Sequence, residues 1–352
     1  MNRPKLLLRL IRYYDSLGFR GNILIGDSSS ADVFREAASA LEAYTGRLNI
    51  FHSHLPGRSV SEAVLEMTGY LSTPYVCLVP DDDFIVPAAM RACIDYLEGD
   101  ADYVAAHGLG VVIDSGDGAS DTIGDVGHYP QSVVNEASAS DRLSRHLANY
   151  TVSLFSVYRS DVWRMMFSSI PVRSESPQYC DKAFVDELLP CCLSVVYGKI
   201  KQVDGLYLIR QAHGERYLLP TWFSWLSREN WRPSYLYFRN QLAQAVANED
   251  KIALAQAEIV VDSAFALYLK SAVINSEASP AGWRQSARKI WLLRWAWRAL
   301  REIRALVRPA RILTLSGLLR LSSPYSKDFL PIFAAVTNGQ NGESARPGAA
   351  RR

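Results

Sequence analysis

The alternation of helical and short extended segments through the first half of the sequence constrains its fold most. Apolar residues at helical spacing predict helices over residues 5–17, 31–44, 59–71, 87–97 and 181–197. Short apolar runs predict strands over residues 22–26, 48–52, 74–80, 102–113, 152–158 and 205–210. Helices that alternate with buried strands are typical of a three-layer α/β domain with a mainly parallel sheet.

Composition limits the class of protein. The chain has 352 residues, of which 49% are hydrophobic and 21% charged, so it can bury one or two domains and is not disordered throughout. A net charge of +2 gives no reason to expect nucleic-acid binding. Its five cysteines form no C-x-x-C pair and no zinc cluster with histidine. No uncharged stretch reaches the roughly 20 residues that span a bilayer, and we expect a cytoplasmic protein.

The sequence divides into three parts. We expect an α/β domain over residues 1–218, a helical C-terminal region over residues 219–336 and a disordered tail over residues 337–352. Residues 114–125 are rich in glycine, aspartate and serine and predict an exposed loop.

Three consecutive aspartates, Asp81, Asp82 and Asp83, follow the apolar run at residues 74–80. Like charges beside a buried strand repel one another, and a divalent cation would relieve that repulsion. Mn²⁺ and Mg²⁺ prefer carboxylate and phosphate oxygens, and ligands bind at the carboxyl ends of strands in open α/β sheets. A solvated acidic turn is the alternative.

The run at residues 75–87 (YVCLVPDDDFIVP) resembles the D-x-D region of GT-A glycosyltransferases, especially the large inverting family 2 group. Three further segments resemble that family in the same order: residues 23–29 (ILIGDSS), the pair Asp186-Glu187, and residues 206–213 (LYLIRQAH). The resemblance covers roughly residues 2–215 and implies a Rossmann-like GT-A domain.

The resemblance implies a metal-dependent transfer of a sugar from a nucleotide-diphosphate sugar to an acceptor hydroxyl, in the synthesis of a bacterial surface polysaccharide. Asp81, Asp83 and His213 would hold Mn²⁺ or Mg²⁺. Asp82 would hold the metal, a ribose or a sugar hydroxyl.

The same resemblance implies roles for the acids outside the aspartate cluster. Asp186, with Glu187 second, would be the catalytic base of an inverting reaction. Asp27 would meet the nucleotide base.

Each assignment has a structural alternative. Asp27 could cap the helix that follows it. Asp186 and Glu187 could simply be acidic residues near the N-terminus of their helix, where they interact favourably with the helix dipole. His213 could be a loop histidine. Arg210 could bind donor phosphates or be exposed to solvent, and the exposed position is slightly favoured. Arg58 could attract the anionic donor or be an ordinary loop cation, and the two alternatives are equally favoured.

Two histidines on one predicted strand also bear on the metal. We expect His52 and His54 to face opposite sides of it and therefore to make a poor metal pair.

One departure from the family concerns the first strand. Family members begin with an apolar strand that ends in a Pro-Thr-Tyr-Asn-Arg-Pro-like motif, whereas this sequence begins at Met1-Asn2-Arg3-Pro4, inside that motif. Either the start codon was assigned too late or the protein is a truncated member. Without that strand, a neighbouring strand would expose unpaired backbone groups.

Residues 283–321 are basic and rich in tryptophan, with Glu302 as the one acidic residue. Such a composition suits a helix in an anionic membrane interface, which would place the protein peripherally on the inner face of the plasma membrane, near a glycan or lipid-linked acceptor. A helical lid with solvated arginines is the alternative.

Three classes of function therefore remain. The first is the glycosyltransferase, and the second is a non-catalytic GT-A-like binding or scaffold protein that lacks the first strand. The third is a nucleotidyltransferase, which would normally carry a Gly-rich basic loop near its N-terminus; none is evident.

Overall fold

The computed structural model describes residues 1–114, 123–171, 181–212, 222–278 and 314–337, and it confirms the predicted α/β class with a helical C-terminal region. The strands are β1 (Asn22–Asp27), β2 (Asn49–His54), β3 (Tyr75–Cys77), β4 (Phe84–Ile85), β5 (Tyr103–Asp114), β6 (Val126–Tyr129), β7 (Val157–Arg159) and β8 (Lys199–Ala212). The helices of the first half are α1 (Pro4–Ser16), α2 (Ala31–Leu41), α3 (Val60–Thr68), α4 (Pro87–Gly99), α5 (Ala139–Ala148), α6 (Ser160–Ser168) and α7 (Leu189–Tyr197). Those of the second half are α8 (Trp222–Leu226), α9 (Trp231–Asp250), α10 (Leu254–Ala278), α11 (Leu315–Leu319) and α12 (Ser326–Thr337).

The strands form two sheets. β1 and β2 make a two-stranded parallel sheet, and the other strands make a second sheet in the order β3-β7-β5-β8-β4, with β6 also paired to β5. The long strands β5 and β8 run parallel from Tyr103↔Lys199 to Asp114↔Ala212 and form the centre of the second sheet.

The expectation of a mainly parallel sheet is wrong for this second sheet. The β3–β7, β5–β7, β5–β6 and β4–β8 pairs are all antiparallel. Helix-strand alternation implies parallel neighbours only where a helix carries the chain back across the sheet. The chain instead passes from β3 to β4 through the aspartate turn, so the alternation does not determine the direction of β4.

The helical C-terminal region packs onto the α/β part through an aromatic cluster. The ring of Phe184, just before α7, lies 4.9 Å from that of Trp225, 5.2 Å from that of Phe238 and 6.0 Å from that of Phe265. Asp181 adds polar contacts, because it accepts hydrogen bonds from Arg228 Nη1 at 2.6 Å and from Trp225 Nε1 at 3.2 Å. The segment that carries Asp186 and Glu187 is therefore held against α8, α9 and α10.

The last described segment returns to the first half of the chain. Phe329 and Ile332 of α12 belong to one buried cluster with Leu10 of α1 and Phe84 of β4. Much of the basic segment predicted at residues 283–321, and the predicted tail from residue 338 onward, lie outside the described residues.

No single helix among the described residues is long and apolar enough to cross a membrane. Helix α9 and the part of α10 from Leu254 to Ser271 satisfy the length and composition criteria only together, and the two are bent by 119°.

Close packing at the centre of the large sheet predicts that Gly108 cannot carry a side chain. The β5–β8 register shifts between His107 and Leu109, and a Cβ atom on Gly108 would lie 2.6 Å from the carbonyl oxygen of Gly205. Gly108→Ala should therefore lower the free energy of unfolding by about 1–3 kcal/mol. Urea denaturation measures this, with Gly99→Ala as the control because a Cβ there meets no atom within 4 Å. Equal stability of the two variants would contradict the importance of this close contact.

Candidate functional site

The turn after β3 places two aspartates around one arginine. Arg3 donates from Nε to Asp81 Oδ2 at 3.1 Å and from Nη1 to Asp82 Oδ2 at 3.1 Å, and its Nη2 also contacts Asp81. Burial raises the pKa of Asp81, and the neighbouring Asp82 raises it further, against the opposing effect of Arg3. Two carboxylates thus face a single cationic group at the N-terminus of α1.

The third aspartate is held separately. The side chain of Asp83 is fully buried, and it accepts hydrogen bonds from Arg210 Nε at 2.7 Å and from the Gln211 backbone N–H at 3.0 Å. Burial raises the pKa of Asp83 to about 6 despite the nearby Arg210. These hydrogen bonds of Asp83 therefore connect the turn after β3 to β8. The sequence pattern did not predict this connection.

Arg210 lies at the wall of a cavity rather than in solvent, so the slight preference for an exposed position is wrong. Its guanidinium carbon lies 4.6 Å from the ring centroid of Phe155 and 5.1 Å from that of Tyr129, whose hydroxyl accepts from Nη1 at 3.0 Å. Burial lowers the pKa of Arg210, but Asp83 and Tyr129 outweigh it, and the pKa lies above its ordinary value. The aromatic rings and Asp83 hold this cation in place.

A π-helical turn, Ala183–Leu188, precedes α7 and carries both predicted catalytic carboxylates. Asp186 Oδ1 accepts from the backbone N–H of Ser61 at 3.2 Å and from its hydroxyl, at the N-terminus of α3. Glu187 Oε1 accepts from the Tyr150 hydroxyl at 2.9 Å. Burial raises the pKa of Glu187, although Tyr150 and Arg210 oppose this. The two consecutive acids thus differ in environment.

Asp27, the last residue of β1, is hydrogen-bonded on both carboxylate oxygens. Ser29 N–H donates to Oδ1 at 2.8 Å, and His52 Nε2 lies 3.1 Å from Oδ2. Burial raises the pKa of Asp27, but the bonds from His52 and Ser29 outweigh it and the pKa lies below its usual value. Asp27 is therefore an anion that shapes the loop before α2.

His52 and His54 lie on one side of β2, so the expectation that they face opposite sides is wrong. The ring centroid of Phe34 lies 4.4 Å from that of each histidine. Residues two apart in a strand share a face, which explains the arrangement.

One cavity of about 1940 Å³ joins most of the predicted site residues. Its lining runs along the whole of β1 and β3 and includes Asp27 at the end of β1 and the aspartates Asp81 and Asp82 that follow β3. The predicted residues that line it are Asp27, Arg58, Asp81, Asp82, Asp186, Glu187 and Arg210. Of the remaining two, Asp83 lies in the wall behind Arg210 and His213 lies outside the described residues. Within the part of the chain that the structure describes, Arg58 makes two long ion pairs, 3.8 Å from Glu62 and 3.8 Å from Glu66.

The predicted metal ligands do not converge among the described residues. No group of three His, Cys, Asp or Glu side chains there could hold a metal ion. Asp83, which was predicted to be a ligand, is occupied by Arg210 and Gln211. Asp81 and Asp82 remain, and two carboxylates with substrate phosphates are a common Mg²⁺ site. Asp81 and Asp82 therefore suit a divalent cation bound where the guanidinium of Arg3 now lies.

Three side chains that shape the site, Arg3, Tyr150 and Tyr129, were not predicted from the sequence. Arg3 precedes the helix predicted over residues 5–17, and no local pattern links it to Asp81, which lies 78 positions away. The tyrosines lie outside every predicted motif. Only the fold places them against Glu187 and Arg210.

Comparison with known proteins gives structural neighbours only. No protein-family model matches the chain, and no curated protein sequence matches it. Among solved structures, Staphylococcus aureus TarS residues 1–349 in complex with UDP-GlcNAc is similar, with 17% identity and a TM-score of 0.47 over 98% of this chain and 90% of that one. The same TarS fragment with UDP gives 16% identity and a TM-score of 0.43 over 99% of this chain and 91% of that one.

TarS is a GT-A-type glycosyltransferase, the class that the sequence motifs resemble. At this identity, and with TM-scores below 0.5, the similarity supports no conclusion about this chain. The chemistry of the site has to come from its own residues.

Proposed function

We propose that the protein is a glycosyltransferase that moves a sugar from a nucleotide-diphosphate sugar to an acceptor hydroxyl in the synthesis of a bacterial surface glycan. The observation that carries the proposal is the single cavity in which Arg3 and Arg210 lie with Asp81, Asp82 and Glu187. Arginine side chains can bind the oxygens of a diphosphate. Carboxylates can accept hydrogen bonds from hydroxyl groups and can accept a proton during the reaction. Cavities at the carboxyl ends of strands in α/β sheets are the usual ligand sites.

The donor would bind between the end of β1 and the aspartate turn. Arg210, fixed by Asp83 and two aromatic rings, would bind a diphosphate oxygen, and Arg58 would add long-range attraction. Asp27 would lie beside the nucleotide base, and Asp82 beside a ribose or sugar hydroxyl. Asp81 and Asp82 would hold Mn²⁺ or Mg²⁺ in place of Arg3. When bound, that cation would neutralise charge on the diphosphate leaving group.

Glu187 is the better placed catalytic base. The acceptor oxygen would attack the anomeric carbon while the bond to the diphosphate oxygen breaks, and the acceptor proton would pass to the Glu187 carboxylate. A carboxylate with a raised pKa is a stronger base. Asp186 accepts two hydrogen bonds from Ser61 and would instead position the end of α3. Direct displacement of this kind inverts the anomeric configuration.

Nucleotide titration tests the donor site. Isothermal titration of UDP, GDP and CMP, with and without Mn²⁺, should show one nucleotide that binds more tightly with the metal. Asp81→Asn should weaken that metal-dependent binding by at least tenfold, since it removes one negative charge from the position shared with Arg3.

Asp32→Asn is the matched control, because Asp32 lies exposed on α2, where it pairs with Arg35 at the surface. If the folded wild-type protein bound none of the three nucleotides, the non-catalytic binding or scaffold alternative would replace the enzyme.

Substitution of Glu187 tests the base. Glu187→Gln should lower kcat by about 10²–10⁴-fold and leave nucleotide affinity within about twofold, because it removes the proton acceptor and keeps the shape. In the wild type, kcat/KM should rise with pH through a pKa above the ordinary glutamate value, since the unprotonated form is the active one. Steady-state rates across pH measure both effects.

Glu42→Gln, an exposed position, is the control for this substitution. Unchanged turnover in Glu187→Gln, combined with loss of turnover in Asp186→Asn, would identify Asp186 as the catalytic base.

Membrane association rests on the composition of residues 283–321, most of which lie outside the described residues. The full chain should sediment with vesicles of phosphatidylglycerol but not with vesicles of phosphatidylcholine. Replacing Arg298, Arg301 and Arg304 by glutamine should abolish this, whereas replacing Arg20, Arg35 and Arg47 should not. Equal sedimentation of both triple variants would exclude the segment as the anchor.

A further inference from the structure

The Glu187 carboxylate is held through one of its two oxygens. Its Oε1 atom accepts a hydrogen bond from the Tyr150 hydroxyl at 2.9 Å. Among the residues that the structure describes, no hydrogen bond reaches the second oxygen, Oε2. Glu187 is also partly exposed and lines the cavity. The protein therefore fixes one carboxylate oxygen and leaves the other available to a ligand.

Arg210 acts on Glu187 from a distance. Its guanidinium donates to Asp83 and to the Tyr129 hydroxyl, and within the described part of the chain it makes no ion pair with Glu187. Burial raises the pKa of Glu187, the hydrogen bond from Tyr150 lowers it, and the charge of Arg210 lowers it to a smaller extent. Tyr150 is therefore the side chain that contacts the carboxylate directly and also stabilises its charged form.

Other titratable groups surround Glu187. Those that interact with it in the described part of the chain are Tyr150 after α5, Tyr129 of β6, Cys191 of α7, Arg210 of β8 and Tyr268 of α10. Burial raises the pKa of each tyrosine and of the thiol, so all of them except the arginine are neutral at physiological pH. Asp186, the neighbour in sequence, is bonded to Ser61 instead.

Two helices hold the ring of Tyr150, which lies two residues beyond the end of α5. Its centroid is 5.2 Å from that of His146 on α5 and 5.3 Å from that of Tyr268 on α10, both in edge-to-face contact. The Ser271 hydroxyl of α10 donates to the Ala148 carbonyl at 2.9 Å, which fastens α10 to the end of α5. Burial lowers the pKa of His146 to about 4, so this neighbour is neutral. The direction of the Tyr150 hydroxyl is therefore set by both helices.

We infer that Tyr150 is a positioning residue whose hydroxyl holds Oε1 of Glu187 so that Oε2 faces the cavity and accepts the acceptor proton. The inference rests on the proposed role of Glu187 as the catalytic base. As the acceptor oxygen bonds to the anomeric carbon, its proton moves to Oε2, and the electron pair of the breaking bond leaves with the diphosphate oxygen. Tyr150 keeps its own proton throughout. Through Tyr268, helix α10 of the C-terminal region contributes to the orientation of the base.

Tyr150→Phe tests this, because it removes the hydroxyl and keeps the ring between α5 and α10. Loss of a hydrogen bond to the charged form raises the pKa of Glu187, so the rise of kcat/KM with pH should move to higher pH. Above that rise, kcat should be roughly tenfold lower, since a carboxylate free to rotate is less often aimed at the acceptor. The donor KM should stay within about twofold, because Tyr150 acts on the base rather than on the donor.

The matched control is Tyr235→Phe. Tyr235 also donates from its hydroxyl to a carboxylate, Asp262 Oδ1 at 2.6 Å, within the same helical region. This variant loses an equivalent hydrogen bond and should keep the pH profile and the kcat of the wild type.

A second measurement needs no substrate. NMR titration of protein labelled with ¹³C at the glutamate carboxyl groups reports the pKa of Glu187, whose signal is identified by its absence from Glu187→Gln. That pKa should be higher in Tyr150→Phe than in the wild type and in Tyr235→Phe.

Two outcomes would overturn the inference. The first is a Glu187 titration that is the same in Tyr150→Phe as in the wild type, which would reduce Tyr150 to a structural role even if kcat fell. The second is a kcat and a pH profile of Tyr150→Phe that match those of the wild type. If instead the wild type transferred no sugar, the proposed function would fail, and the substrate-free titration would still decide whether Tyr150 controls Glu187.

Discussion

The site depends on how the protein compensates three consecutive negative charges at the end of a buried strand. Two arginines from distant parts of the chain share this role, because Arg3 contacts Asp81 and Asp82 while Arg210 contacts Asp83. These contacts draw the start of α1, the turn after β3 and the last strand of the sheet to one place. A buried carboxylate without such a partner costs several kcal/mol, so the compensation constrains the surrounding backbone.

Sequence predicted the local elements of the first half better than their pairing. Periodicity located β1, β2 and β5 closely, because each is a distinct apolar run between clear breakers. It missed α5, where residues 140–167 gave a mixed pattern. Strand direction in the large sheet was also missed, because the pairing of short strands such as β7 depends on contacts between distant residues.

For the site, the sequence predicted the acidic residues better than it predicted the arginines. Asp27, Asp81, Asp82, Asp186 and Glu187 all reach one cavity, as expected from their positions at strand ends and before a helix. The part played by Arg3 could not be foreseen, since a single arginine before a helix has no pattern of its own. The difference between Asp186 and Glu187 also arises only in three dimensions, from Ser61 on α3 and from Tyr150.

The π-helical turn over Ala183–Leu188 has a consequence for how this site could have arisen. Residues in an α-helix are about 100° apart around the axis, so two adjacent acids would diverge, and a wider turn reduces that angle. π-Turns correspond to one residue inserted into an α-helix. Loss of a single codon here would restore the regular helix and change the directions in which Asp186 and Glu187 point. A change of one residue in length, without any substitution, would thus alter how these two acids face the cavity that both of them line.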